Sequence, residues 1–412
     1  MFEVKGKYNI AKVYQDESIV EESCIDQIRD LADCEAYRDC QIRVMPDTHT
    51  GCAGPIGLTV KIEDKIIPAT VGVDIGCGMY LFMLKGVRKE NINFEDFDNY
   101  IRTHIPCGRE IRSEKVAKFN DIKNLRCFRE LKDTVKFEKA IGTLGSGNHF
   151  EEIDEDSKGN LYFVVHTGSR NLGKQVADYY QNLAHGICNK HLDTYFIEKA
   201  NLIETYKAEG RKSEIQKALI ELNKKYREEE NNVPKDLAYL KDKYLEDYLF
   251  DIDICQRYAS LNRETICRIV AKYFDIDFDS VEKFETIHNY IDIEKKILRK
   301  GAIAAYEGAK VIIPINMAEG SIIGIGKGCE GMNYSAPHGA GRMFSRIKAK
   351  QTFDVEEFKE AMAGIYTSCV NESTLDESPM AYKKLENILP YIKDTVDVIE
   401  VIKPVYNFKA GE

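Results

Sequence analysis

The sequence predicts an α+β protein folded as one integrated unit. Segments rich in glycine and β-branched residues, at 51–87 and 141–175, read as strands joined by tight turns. Charged segments with regularly spaced apolar residues, between 176 and 275, read as amphipathic helices. Residues able to do chemistry gather at 47–77, 148–170, 288–342 and 382–409, and no Ser/Gly-rich linker separates them. A site assembled from segments so far apart requires a single fold over 1–412.

Along the chain, residues 1–50 mix short apolar runs with polar turns. IGLTVKI and IIPATVGVDIGCGMYLFML predict two or three strands, and residues 88–140 are charged and helical in part. AIGTLGSGNHFEEI and LYFVVHTGSRNLG return to the strand pattern. A helical segment then spans 176–275. Its first half, NLIETYKAEGRKSEIQKALIELNKKYREEENN, is amphipathic; NNVPKD breaks it and can cap the next helix. DYLFDIDICQRYASLNRETICRIVAKYF is a further helix with apolar spacing near 3.6. The C-terminal part reads as helix (VEEFKEAMAGIY), loop (NESTLDESPM), helix (AYKKLENILPYI) and strand (TVDVIEVIKPV).

Composition narrows the class. No run approaches the ~18 uncharged apolar residues of a membrane span, and the charged N-terminus is unlike a signal peptide, so a cytoplasmic protein is expected. The twelve cysteines are scattered without a CxxC pair, which favours reduced thiols, most of them small core residues. A net charge of −10 argues against indiscriminate nucleic-acid binding, but leaves room for a confined basic groove.

Five of the eight histidines, at 49, 149, 166, 288 and 338, have glycine, asparagine or aspartate close by. A lone histidine is usually a satisfied, partly buried side chain; five in such settings point to a polar site. In VGVDIGCGM, Asp74 and Cys77 lie three residues apart among glycines that allow a sharp turn. Carboxylate, thiolate and imidazoles form a mixed hard–soft set that suits manganese or zinc better than calcium or magnesium. The alternative is a buried strand with a structural cysteine. GSGNHFEE offers Asn148, His149, Phe150 and Glu152 after a glycine turn, without the lysine of a P-loop. His166 ends an apolar strand and Arg170 follows a turn, either as a phosphate-reading pair or as a capped strand. His288, between apolar residues, reads in isolation as a core histidine. In APHGAGR, His338 precedes Gly339, Ala340 and Gly341, with Arg342 four residues on. An open imidazole beside a guanidinium suits nucleophilic phosphoryl chemistry; a glycine-rich turn at a helix start is the other reading.

Taken together, MPDTHTG, VGVDIGCGM, GSGNHFEE, HTGSRNLG, His288-Asn289, Lys300-Gly301 and HGAGR resemble the RtcB RNA-splicing ligases in order and spacing, from about residue 40 to the C-terminus. The resemblance implies mixed β-sheets around a central metal and nucleotide cleft, with a helical insertion. It also implies a GTP-dependent RNA ligase that uses two Mn²⁺ ions and joins 2′,3′-cyclic phosphate or 3′-phosphate ends to 5′-hydroxyl ends. Cys77 would bridge the two ions with Asp74, and His149, His166 and His288 would complete the ligands. Asp47 would lie close to the metals and Asn148 would contact phosphate. Phe150 and Tyr382 would hold the guanine ring; Glu152, Ser321 and Lys409 would hydrogen-bond it. His338 would carry the guanylyl group, with Arg342 and Arg170 on phosphates. Where most members read PGSMG, this chain has Pro314-Ile315-Asn316-Met317-Ala318, which puts Asn316 at the nucleotide-contacting serine. That change resembles a divergent branch found beside release-factor-like proteins and linked to repair of cleaved ribosomal RNA; transfer RNA halves are the other implied substrate. An archease-like activator is a further implied partner. A metal-dependent cyclic phosphoesterase and a non-catalytic RNA- or nucleotide-binding homologue remain the alternatives.

Overall fold

In a computed structural model of the chain, which describes residues 1–228 and 233–409, two large sheets hold most of the strands, beside two strand pairs, Ala302–Ala304 with Ser335–Pro337 and Lys65–Ile66 with Leu240–Lys241. One has six strands, in the spatial order Phe2–Lys5, Ile10–Val13, Gln41–His49, Ile56–Lys61, Ile297–Lys300, Asn289–Asp292. The other runs Lys283–Ile287, Gly78–Met83, Leu161–Thr167, Phe150–Glu155, Val396–Lys409, Gly320–Gly326, Lys310–Asn316, with Tyr366–Thr367 paired in parallel to Val396–Lys409. Ile10–Val13 and Gln41–His49 are also parallel, so both sheets are mixed. At one of its crossings between the sheets the chain uses a single residue, His288, which lies between Lys283–Ile287 and Asn289–Asp292.

Helices cover these sheets. Phe94–His104 starts at Asn93, whose side chain accepts from the backbone N–H groups of Glu95 and Asp96; acidic residues fill its first turn and Arg102 its last, as the helix dipole favours. Arg170–Lys190, Leu192–Ala208 and Ile215–Glu228 follow the strand that ends at Thr167. Asp242–Tyr273, 32 residues long, buries a broad stripe that includes Tyr248, Ile252, Cys255, Ala259, Ile266 and Val270, at the i, i+3, i+4 spacing of a core-facing helix. The largest apolar cluster joins the six-stranded sheet to this helix and to Glu22–Ala32; a second lies under Phe94–His104 against the larger sheet. No helix among the described residues is long and apolar enough to cross a membrane.

Several expectations need correction. Residues 67–77 of the expected strand run form a short 3-10 turn and a loop. Val71 and Ile75 are buried there while Val73 is exposed, although all three would share one face of a strand, so these apolar residues pack from a loop and not from a ladder. The break at NNVPKD begins outside the described residues. From Pro234 the chain makes a 3-10 turn, and the next helix starts at Asp242 after Lys241, which gives no side-chain cap. His338 does not sit at a helix start: it follows the strand Ser335–Pro337, and the next helix begins at Arg346. The last strand is Val396–Lys409, longer than the TVDVIEVIKPV stretch.

One buried side chain ties the fold to the site. Arg263 is fully buried in the long helix; it donates to Gly76 O (2.6 Å) and Thr167 O (2.9 Å) and pairs with Glu285 (2.9 Å). It therefore holds the loop before Cys77 against the end of the strand carrying His166. Arg263→Leu leaves two carbonyls and a carboxylate without their donor. The expected loss is about 3–5 kcal/mol in denaturant unfolding; a loss below about 1 kcal/mol would remove Arg263 from this role.

Candidate functional site

Each predicted metal-ligating side chain comes from a strand end or from the loop beside one. Cys77 immediately precedes Gly78–Met83, His149 precedes Phe150–Glu155, and His166 lies near the end of Leu161–Thr167. Gly76 shows why the loop needs glycine: its φ is +75°, and a Cβ there would lie 2.9 Å from Ala259 Cβ on the long helix. The loop can press against that helix and aim Cys77 back into the cleft.

Two groups of ligand atoms result, Asp74–Cys77–His149 and Cys77–His166–His288, each with its atoms within 4.8 Å of one another. Cys77 belongs to both. Its Sγ lies 3.5 Å from His149 Nε2 and 3.2 Å from His166 Nε2. His149 Nε2 is 2.9 Å from Asp74 Oδ2, and His166 Nε2 is 3.2 Å from His288 Nε2. Ligands of one metal ion lie about 3–4 Å apart when each is about 2.0–2.3 Å from it.

The far sides of the rings are held by backbone carbonyls. His149 Nδ1 donates to Leu144 O at 2.9 Å, and His166 Nδ1 to Asn148 O at 3.1 Å. Each Nε2 is thereby aimed at the Cys77 thiol, the second-sphere arrangement of metal-bound histidine. Nδ1 of His288, by contrast, is buried without a hydrogen-bond partner. Acceptors converging on a thiol, with an orphaned imidazole nitrogen beside them, fit a pair of divalent cations.

Electrostatics agree. Burial pushes Asp74 up, but the His149 hydrogen bond and the Arg170 charge outweigh it and hold the carboxyl at about 2. Burial, then neighbouring histidines, pushes His166 and His288 well below the usual range, so both are neutral and ligand-competent. Burial and the Asp74 charge push the Cys77 thiol well up.

His338 lies next to this group, its ring centroid 5.0 Å from that of His288. Its Nδ1 is 2.7 Å from Asp47 Oδ2, and its backbone N–H donates to the same oxygen at 3.1 Å. Gly341, at φ +76°, makes this possible: a Cβ there would meet Asp47 O at 2.9 Å. Asp47 thus acts on the nucleophile candidate. It belongs to neither ligand group and reaches them through His338, whose ring adjoins that of His288.

A cleft opens over this dyad. Gly339, Ala340 and Gly341 line it with His338, as do Asn148, Phe150, Glu152, Asn316, Arg342, Tyr382 and Lys409. Burial pushes Glu152 up to about 8, against the Asn407 amide that donates to it and the nearby Lys409 charge. Ser321 is fully buried, its Oγ has no partner, and it is not part of the cleft wall. Asn316 uses its carbonyl oxygen to accept from Ala318 N and Glu319 N, and its amide group is 3.4 Å from Glu319 Oε1. Arg170 donates to Thr143 Oγ1 and Gly108 O, and Arg342 to Phe344 O, Asp376 O and Tyr382 Oη, so both guanidiniums are held by protein groups.

His49, flagged in the sequence only as one of five histidines in turn-rich settings, and Arg346 and Glu377, not singled out there, all line the cleft. Only for His49 was there a signal, two residues from Asp47 in MPDTHTG. Arg346 and Glu377 sit in ordinary charged stretches.

Fold and site define an α+β protein with Cys/His/Asp groups able to hold metal and a cleft around an Asp–His dyad. The chain belongs to the RtcB family: residues 27–138 and 127–410 match the family described as tRNA-splicing ligase RtcB. It is similar to the RNA-splicing ligase RtcB of Escherichia coli strain K12, at 32% identity over 88% of this chain and 88% of that protein. It is also similar to the tRNA-splicing ligase RtcB of Pyrobaculum aerophilum, at 27% identity over 84% of this chain and 82% of that one.

Proposed function

We propose that this protein is an RNA ligase that uses GTP and manganese to join 3′-phosphate or 2′,3′-cyclic phosphate ends to 5′-hydroxyl ends. The observation that carries the reading is the Asp47–His338 pair, 2.7 Å apart, in a cleft that adjoins the Cys77 ligand groups. Family membership supports the RNA-ligase class.

Asp47 keeps the His338 proton on Nδ1, so Nε2 holds the lone pair. Nε2 attacks the α-phosphorus of GTP; a P–N bond forms and the bond to pyrophosphate breaks. An oxygen of the RNA 3′-phosphate then attacks the same phosphorus, the P–N bond breaks, and RNA-3′-pp-5′-G results. Finally a 5′-hydroxyl attacks the RNA phosphate and GMP leaves. Asp74, Cys77, His149, His166 and His288 would hold the manganese, which when bound supplies positive charge for phosphate oxygens. Phe150 and Tyr382 flank the base, and Arg342 counters phosphate charge.

The test is joining of two RNA fragments with 3′-phosphate and 5′-hydroxyl ends, with Mn²⁺ and with or without GTP. Joining that requires GTP is expected. Opening of cyclic phosphates without joining would mean a phosphoesterase, and binding alone a non-catalytic homologue. Asp47→Asn, which leaves the ligand groups intact, should lower guanylylation on the order of 10²-fold or more, with metal content unchanged. Wild-type guanylylation in that variant would exclude Asp47 as the orienting group.

A further inference from the structure

The cleft holds a side chain with two separate tasks. The Glu377 side chain is 3% exposed, and each of its oxygens faces a different pair of groups. Oε1 meets Arg346 Nη1 at 2.6 Å and Arg342 Nη1 at 3.3 Å. Oε2 accepts from Tyr382 Oη at 2.6 Å and pairs with Lys409 Nζ at 2.6 Å. The first pair follows His338 along the chain; the second belongs to the base-binding end.

We infer that Glu377 is a positioning residue that links the base end of the cleft to the phosphate end beside His338. The inference rests on the guanylyl-transfer reading above. A carboxylate is planar and rigid, so a shift that tightens one oxygen on its pair moves the other. Filling the base end, where Tyr382 and Lys409 stand, therefore resets the arginines. Asp376 takes a share of the cations, with Arg346 at 2.6 Å and Lys350 at 3.3 Å. Arg342 makes the longest contact to Glu377 and no side-chain contact to Asp376. It is the cation best able to exchange this carboxylate for a phosphate oxygen. Burial pushes Glu377 up, but Lys409, Arg346 and Arg342 outweigh burial, so the group is ionised throughout the working range.

Two variants test the link. Glu377→Gln keeps the shape and removes the charge. Tyr382→Phe keeps the ring and removes the hydroxyl, which donates to Oε2 and accepts from Arg342 Nη1 at 2.8 Å. Labelling of the protein by α-labelled GTP and ATP, ligation KM values for GTP and for RNA ends, and melting temperature are the readouts. Glu377→Gln should raise the KM for GTP at least ~10-fold and erode the preference for GTP over ATP, with the KM for RNA ends unchanged. Tyr382→Phe should raise the KM for GTP about 3- to 10-fold while melting stays within about 2 °C of wild type. If Glu377→Gln does not fold, Tyr382→Phe decides. A wild-type KM for GTP and wild-type preference in a folded variant overturns the inference and leaves the ligase reading standing. No labelling of the wild type overturns the ligase reading; calorimetric GTP affinity, weakened or not in Tyr382→Phe, then decides the link.

Discussion

His338→Ala should lose all covalent label from α-labelled GTP, and RNA joining should fall on the order of 10³-fold or more. The metal centre should survive, because His338 is in neither ligand group. Another imidazole competes for the role: His49 lines the same cleft, and burial lowers its pKa, which favours the neutral ring. The two differ in what holds their Nδ1. His49 meets only the backbone carbonyl of Asp47, at 3.0 Å, whereas His338 meets the Asp47 carboxylate. A carboxylate raises the basicity of the far nitrogen and stabilises the positive ring that forms on attack; a neutral carbonyl does so far less. His49→Ala should therefore keep its label. Label that persists in His338→Ala and vanishes in His49→Ala would move the nucleophile to His49.

Most of the candidate ligands were readable because they are marked locally. Cys77, His149 and His166 lie beside glycines at strand ends, where the backbone turns and a side chain can leave the sheet. His288 carried no such mark. Its role comes from being the single residue between two strands of different sheets, a property of topology that no window of sequence contains. The Asp47–His338 bond likewise spans 291 positions. Local pattern shows that each partner is in a turn-rich segment, and only the packing of Gly341 onto Asp47 shows that they meet. Glu377 was hidden for another reason. In LDESPM it is one acid among several on what reads as a surface loop, and its burial follows from the cations gathered around it. Strand texture misled at 71–75, because buried Val71 and Ile75 satisfy the hydrophobic effect by packing under a helix as well as they would in a ladder.

Cys77→Ala should empty both cation positions at once. Asp74→Ala or His288→Ala should weaken one, since Cys77 alone is common to the two groups. Metal content by mass spectrometry of the native protein separates these outcomes. A second cation that persists in Cys77→Ala would show that the thiol does not bridge. The same residue sets the pH dependence. Asp74, at about 2, is ionised before metal arrives, and His166 and His288 are held neutral, so none of these three has a proton to release. The Cys77 thiol is raised by burial and by Asp74, yet only a thiolate binds metal. Binding must expel its proton. Because that pKa lies above the working pH, apparent affinity should rise about tenfold per pH unit from this group and fall as pH drops. Cys77→Ser, whose hydroxyl can coordinate without ionising, should bind more weakly and release about one proton fewer. Calorimetry in buffers of different ionisation enthalpy counts those protons. Equal proton release by wild type and Cys77→Ser would remove the thiolate from the centre, and with it the physical reason for burying a thiol among three neutral or acidic acceptors.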